Sequence, residues 1–168
     1  MNKIFLGIGS NLGNRKTNLK EAIAKIAEDI GMVSASSSVY ETEPWGFRSE
    51  NQFLNMVAEV ETELSPFDLM TAILLIEAKI GRVRSEEQYS SRIIDIDILL
   101  YNDLILDDNN LIIPHPKIYL RKFVLVPLCE LAPELVHPVL KKTMTSLLKV
   151  CKDESRVKFY SNPLSAKL

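Results

Sequence analysis

Residues 53–81 read FLNMVAEVETELSPFDLMTAILLIEAKIG, and two periodicities follow one another in them. Leu54, Met56, Ala58 and Val60 recur at every second position, as the buried face of a β-strand does. The period changes at Ser65. Serine is a strong N-cap, Pro66 suits the first helical position, and Asp68 sets a negative charge in the first turn. The helix that begins there is expected to run to Ile80 and stop at Gly81. Glu77 falls on its apolar side, near Met70, Ile73 and Leu74, so it is either an acid at the surface edge or a buried acid that orients an arginine.

The flanking segments extend this strand-helix unit into a fold. Ile4, Leu6 and Ile8 alternate as in a strand, and residues 7–13, GIGSNLG, turn toward a helix marked by Leu19, Ala22, Ile23, Ile26, Ala27 and Ile30, with Gly31 as its stop. Residues 32–40 read as a second strand with a Ser-rich exposed face, and 41–52, with Pro44 and Gly46, as a loop. On the other side, a polar loop over 82–91 leads to a strand over 92–101. Short strands at 104–106 and 111–113 suggest a meander. Helical pieces are expected over 118–131 and 145–152, and a disordered or loosely packed tail from 161. The order β-α-β-β-α-β predicts an α+β fold with a ferredoxin-like split βαβ core: a mostly antiparallel sheet with helices packed on its faces, in a single domain over 1–168.

Composition narrows the function classes. The formal net charge is −2, which argues against a general nucleic-acid binder. No apolar run approaches the roughly 20 residues of a membrane helix, and the N-terminus lacks the apolar core of a leader peptide. Cys129 and Cys151 make no disulfide framework, so a reducing cytoplasm is expected.

Residues 92–100, RIIDIDILL, carry the strongest chemical signal. Strand alternation sends Asp95 and Asp97 to one face and Ile94, Ile96 and Ile98 to the other. Two close carboxylates repel unless a cation neutralises them, and magnesium is commonly held by one or two carboxylates plus substrate phosphates. By itself D-x-D is a common solvated pattern; acids within an otherwise apolar strand need a partner. Arg82, Arg84 and Arg92 bracket the preceding loop and suit phosphate oxygens, although Arg82 and Arg84 also suit a helix C-terminus. His115, held between Pro114 and Pro116, and Arg121 form a further cluster. Phe53 and Asn55 share a strand face, where a ring and an amide would fit a flat heterocycle. Taken singly, His115, Phe53 and Asn55 read better as turn and core residues than as site residues, and His137 reads as structural. The spacing of Gly7, Gly9 and Gly13 misses both the dinucleotide and the Walker fingerprints, so they read as structural glycines of a tight strand-to-helix turn.

Together these segments resemble the 6-hydroxymethyl-7,8-dihydropterin pyrophosphokinase family. The resemblance rests on Arg92-x-x-Asp95-x-Asp97-Ile98-Leu99, with Gly7-x-Gly9-Ser10-Asn11-Leu12-Gly13, Tyr40-x-Thr42-x-Pro44-x-Gly46, Phe53-Leu54-Asn55, Glu77-x-x-x-Gly81-Arg82-x-Arg84, Pro114-His115-Pro116 and Arg121-x-Phe123-Val124-Leu125 in order. It implies a magnesium-dependent diphosphotransferase of folate synthesis whose substrates are ATP and the reduced pterin alcohol. Asp95 and Asp97 would be ligands of two Mg2+ ions. Arg82 and Arg92 would stabilise the transferring charge. Glu77, Arg84, Tyr89, Ile98, Leu111, His115 and Arg121 would belong to the ATP site. Thr42, Glu43, Trp45, Phe53, Asn55 and Phe123 would form the pterin site, with Phe53 and Phe123 as its two faces. A monomer with no nucleic-acid or membrane partner is expected. Where the family often has Trp-Gly-Pro before the signature arginine, this chain has Tyr89-Ser90-Ser91. The competing reading is a non-catalytic nucleotide-binding or regulatory domain on the same scaffold.

Overall fold

The structure is a computed structural model, and it describes residues 1–87 and 89–165. The chain runs β1 (Asn2–Ser10), α1 (Arg15–Asp29), β2 (Gly31–Ser36), β3 (Val39–Thr42), β4 (Phe53–Thr62), α2 (Pro66–Ile80) and β5 (Asp95–Tyr101). A hairpin of β6 (Leu106–Asp108) and β7 (Leu111–Ile113) follows. After it come a 3-10 turn (Ile118–Leu120), α3 (Lys122–Leu131), α4 (Met144–Val150) and β8 (Val157–Ser161). The main sheet has the order β5-β1-β4-β3-β8, with β2 also paired to β4, and every pairing is antiparallel. This is the predicted α+β arrangement.

The α2 boundaries follow the local chemistry. Ser65 accepts a hydrogen bond from the Asp68 N–H, Pro66 stands at the first helical position, and Gly81 closes the helix at φ +111, a left-handed conformation that costs glycine no Cβ clash. Helices α1 and α2 cover one face of the sheet. There Ile4, Leu6, Ile8, Leu54, Met56, Ala58 and Val60 pack against Leu19, Ile23, Ile26, Leu69, Ile73 and Ile76. The other face is covered only in part: Phe5, Val57, Leu99 and Leu100 meet Val124, Leu125 and Leu128 of α3 and Met144 and Leu147 of α4. Among the described residues no helix is long and apolar enough to cross a membrane. Cys129 and Cys151 are free thiols. His137 is a turn residue, its Nδ1 accepting the N–H groups of Val139 and Leu140.

Several expectations need correction. The strand over 32–40 is two strands, broken at Ser37 and Ser38, so that β2 and β3 pair with successive parts of β4. The expected helix over 118–131 is a 3-10 turn followed by α3. Gly7 and Gly9 lie inside β1 rather than in a turn; only Gly13, at φ +67, has a turn conformation. The tail is ordered as far as the described residues reach. Strand β8 pairs with β3, Leu164 is buried, and its carbonyl accepts from Ser36 Oγ. Positions 166–168 of that tail lie outside the described residues.

Candidate active site

Strand pairing composes the site. Gly9 of β1 stands opposite Asn55 of β4 on one side and Asp95 of β5 on the other, and Gly7 stands likewise between Val57 and Asp97. Paired residues in a sheet share a face, so Asn55, Asp95 and Asp97 project together. With strands roughly 4.8 Å apart, Asn55 and Asp95 are roughly 10 Å apart across the row. Helix α3 covers the Val57 end of this face. Beyond it opens a cavity of about 690 Å³ lined by Asn55, Asp95 and Asp97 together with Glu77, Arg82, Arg84, Arg92, His115 and Arg121.

Glu77 organises the cationic wall. Its side chain is 3% exposed, and its carboxylate accepts from Arg82 at 2.7 Å, Arg84 at 2.8 Å and the Ile96 backbone N–H at 2.9 Å. Arg82 also donates to Asp95 Oδ1 at 2.7 Å, and Arg92 lies 3.5 Å from Asp95 Oδ2. Burial opposes the Arg82 charge, but Asp95 and Glu77 more than offset it and hold Arg82 cationic. Asn11, almost fully buried, fixes the entry to β5: its Oδ1 accepts the Arg92 N–H at 2.7 Å and its Nδ2 donates to Ser91 Oγ at 3.0 Å.

Among the described residues Asp97 has no such partner. His115 Nε2 lies 4.0 Å away, and the carboxylate is 38% exposed to the cavity. Desolvation by the cavity walls, then Asp95, push its pKa up to about 7, against the pull of Arg121 and Arg92. His115 is held neutral, its pKa down near 4 through burial and then the Arg121 charge. Its Nδ1 accepts the Lys117 N–H at 3.1 Å, which leaves the proton on Nε2, facing the cavity. Arg92 Nε and Arg121 Nε are buried donors without a partner among the described residues. An unsatisfied buried donor costs about 1–3 kcal/mol.

Aromatic rings stand beside these arginines: Phe53, Phe47, Trp45, Tyr89 and Phe123 line the same cavity with Thr42 and Glu43, and the guanidinium groups of Arg92 and Arg121 lie 5.6 Å from the ring centroids of Phe53 and Phe123 respectively. Asn55 Nδ2 donates to Thr42 Oγ1 at 2.6 Å, which leaves the Asn55 oxygen for another donor. Gly9 makes room for that oxygen: a Cβ there would lie 2.7 Å from Asn55 Oδ1.

Of the residues singled out from sequence, all but two meet at this cavity. Ile98 and Leu111 do not line it; both are buried in the core under α2, because Ile98 follows the Ile96 alternation away from Asp97. The wall near them is made by Met70, Ile73, Leu74 and Asn110. Sequence reasoning passed over Asn11, Lys117 and the role of Gly9. Each acts through a partner far along the chain, and no local pattern marks it.

The 7,8-dihydro-6-hydroxymethylpterin-pyrophosphokinase family model matches residues 5–133. The 2-amino-4-hydroxy-6-hydroxymethyldihydropteridine pyrophosphokinase of Bacillus subtilis (strain 168) is 42% identical over 136 residues, covering 80% of this chain and 81% of that protein. The protein of the same name from Aquifex aeolicus is 37% identical over 158 residues, 94% and 95% of the two chains. Among solved structures, wild-type HPPK-DHPS of Plasmodium falciparum with pteroate superposes with a TM-score of 0.74 at 18% identity, over 88% of this chain. The chain spans 44% of that longer protein, and the likeness is one of fold.

Proposed function

This chain belongs to the 7,8-dihydro-6-hydroxymethylpterin-pyrophosphokinase family, and on that premise we propose that it transfers a diphosphate from ATP to the hydroxymethyl group of 6-hydroxymethyl-7,8-dihydropterin in folate synthesis, releasing AMP. One observation carries the reading at the level of this chain. The row Asn55–Gly9–Asp95 sets a heterocycle-reading amide and a pair of acids on one sheet face, roughly 10 Å apart, with Arg82, Arg92 and Arg121 around the acids. That separation suits a bicyclic ring held at one end and a reacting hydroxymethyl at the other.

The residues fit a magnesium-dependent reaction. Asp95 and Asp97 offer hard carboxylate oxygens on one sheet face, and the pKa of Asp97 is raised by desolvation and then by the neighbouring Asp95 charge, which a bound cation would offset. Among the described residues no cluster of three or more His, Cys, Asp or Glu could hold a metal ion; in this reading substrate phosphates would complete the coordination. Asp95 and Asp97 would hold two magnesium ions, which when bound neutralise triphosphate charge. Around them the protein's own groups orient and stabilise. Arg92 and Arg121 line the cavity, where their guanidinium groups would bond phosphate oxygens, and His115 Nε2–H would donate without carrying charge. Arg82, steered by Glu77, lies next to Asp95, where charge would build up on the transferring group. Phe53 and Phe123 supply the aromatic walls, and Asn55, oriented by Thr42, reads the pterin edge.

The decisive experiment separates nucleotides after one turnover with ATP, magnesium and the pterin alcohol. AMP equimolar with pterin diphosphate is expected; ADP with pterin monophosphate would mean attack at the γ phosphorus and end the proposal. A second test addresses the pterin end. Gly9→Ala brings a methyl to 2.7 Å from Asn55 Oδ1 and forces the amide to shift, so pterin affinity measured by calorimetry should fall about tenfold, or about 1.4 kcal/mol. Unchanged pterin affinity in Gly9→Ala would remove Asn55 from the site.

A further inference from the structure

The break between β2 and β3 is held from outside the sheet. Ser38 lies in neither strand, and a backbone N–H outside a ladder needs another partner. It donates to Glu130 Oε1 on α3 at 2.9 Å, and the Ser38 hydroxyl donates to the same oxygen at 2.9 Å. The second carboxylate oxygen, Oε2, accepts the Tyr40 hydroxyl at 2.6 Å. Tyr40 stands directly opposite Asn55 in the β3–β4 register, so their side chains share a face, and Thr42, two residues on, shares it too. Thr42 Oγ1 is the acceptor that orients Asn55. Glu130 and Phe123 are two turns apart on α3 and so lie on one side of that helix. Neither Tyr40 nor Glu130 lines the cavity.

We infer that Tyr40 and Glu130 are positioning residues for the pterin: their hydrogen bond braces β3 against α3, and so fixes the Thr42 hydroxyl, and with it the Asn55 amide, at a set distance from Phe123. The two sides of this brace are unequally anchored. Helix α3 is held in the core by Val124, Leu125 and Leu128, and its first N–H, that of Lys122, donates to Asp153 Oδ2 at 3.0 Å. Strand β3 has only four residues, and the middle of its outer neighbour β8 is exposed. When the brace is cut, β3 is therefore the side that shifts, while Arg121 and Phe123 at the other end of α3 stay in place. Burial and then the Glu130 carboxylate push the Tyr40 hydroxyl up to about 12, so it remains a donor at neutral pH. Phe159 of β8 packs edge to face on the Tyr40 ring at 6.4 Å. The inference rests on the proposed function only for the identity of the molecule that Asn55 reads.

With magnesium and a non-transferable ATP analogue present, Tyr40→Phe, which keeps the ring, should weaken pterin binding about five- to tenfold by calorimetry. Glu130→Ala should weaken it at least as much. Affinity for the ATP analogue should stay within about twofold in both, because its proposed partners stand on α2, β5 and the anchored start of α3. Glu130→Gln should recover most of the pterin affinity, since its carbonyl can accept from Ser38 while its amide donates to the Tyr40 oxygen. Adding Tyr40→Phe to Glu130→Ala should cost nothing further, because both changes cut one bond. A contact that merely staples the fold would lower the urea midpoint of Tyr40→Phe and leave pterin affinity unchanged. That result would overturn the inference, as would equal weakening of the ATP analogue or additive losses in the double variant. A measurement without pterin keeps the brace apart from the functional reading. In the ligand-free protein, the NMR signals of the Asn55 side-chain amide should shift in Glu130→Ala and return toward wild type in Glu130→Gln. Unmoved Asn55 signals in Glu130→Ala would overturn the brace. A wild-type protein that binds no pterin, yet whose Asn55 signals respond in this way, would leave the brace standing and end the functional reading instead.

Discussion

Asp97→Asn should lose turnover by on the order of a thousandfold while the protein stays folded, because charge stabilisation at the reacting phosphates is where such sites concentrate their effect. The substitution removes one of the two proposed metal ligands and leaves the shape intact. Nothing in the fold depends on the charge. Asp97 makes no hydrogen bond among the described residues, and the group within ion-pair distance, His115 at 4.0 Å, is neutral above about pH 4. The folded protein in fact favours the protonated acid, with a pKa of about 7 against roughly 3.9 for a free aspartate. A pKa raised on folding means that the native state binds the proton more tightly than the unfolded chain. The contribution of Asp97 to stability is therefore full below about pH 4 and is lost as pH rises through about 7. In the absence of magnesium and nucleotide, the melting temperature of Asp97→Asn minus that of wild type should grow more positive from pH 5 to pH 8. Magnesium with ATP should reverse the sign of that difference by stabilising only the wild type. Wild-type turnover in Asp97→Asn across a magnesium titration would remove Asp97 from the metal site.

Glu77→Ala is expected to damage both stability and catalysis. The buried carboxylate holds Arg82, Arg84 and the Ile96 N–H at once, so its removal strands a nearly buried guanidinium and orphans a backbone donor inside the sheet edge. Breaking a buried pair by deleting one partner costs about 3–5 kcal/mol. Little of that comes from Arg84, which is 60% exposed and screened by water. Catalysis should fall because Arg82, released from Glu77, is left with Asp95 as its partner and competes with the metal for that carboxylate. Glu77→Gln separates the two effects. Its amide oxygen can still accept from the Ile96 N–H, so most of the stability should return, whereas the charge that steers the two arginines is gone and turnover should stay low. Urea denaturation and kcat/KM on the two variants check this. A wild-type unfolding midpoint in Glu77→Ala would show that Glu77 is not the pivot of the arginine wall.

Legibility in the sequence follows the range of each interaction. Helix α2 was readable to the residue because its cap, first-turn proline and terminal glycine act within a few positions of where they stand. Strand β8 was not. Its central residues Lys158, Phe159 and Tyr160 are exposed, and its pairing partner β3 lies more than a hundred positions earlier, so no buried apolar face marks it in the sequence. The tail beyond it owes its order to Leu164 reaching the core and to a bond from Ser36, both equally remote.

Local chemistry by itself determined the succession from β1 to β5, apart from the break between β2 and β3, the shared face of Asp95 and Asp97, and the clustering of arginines before them. A two-residue period and a helical cap need no partner from elsewhere in the chain. Tertiary structure decided the rest of the site. Glu77 became the pivot of Arg82 and Arg84 only when α2 packed beside β5. Gly9 became the clearance for Asn55 only through the β1–β4 register. Ile98 and Leu111 went to the core, and Glu130 of α3 met Tyr40 of β3 from 90 positions away. Contacts between residues so far apart along the chain are set by strand register and helix packing, which depend on the whole folded chain and leave no spacing in the sequence that local periodicity could reveal.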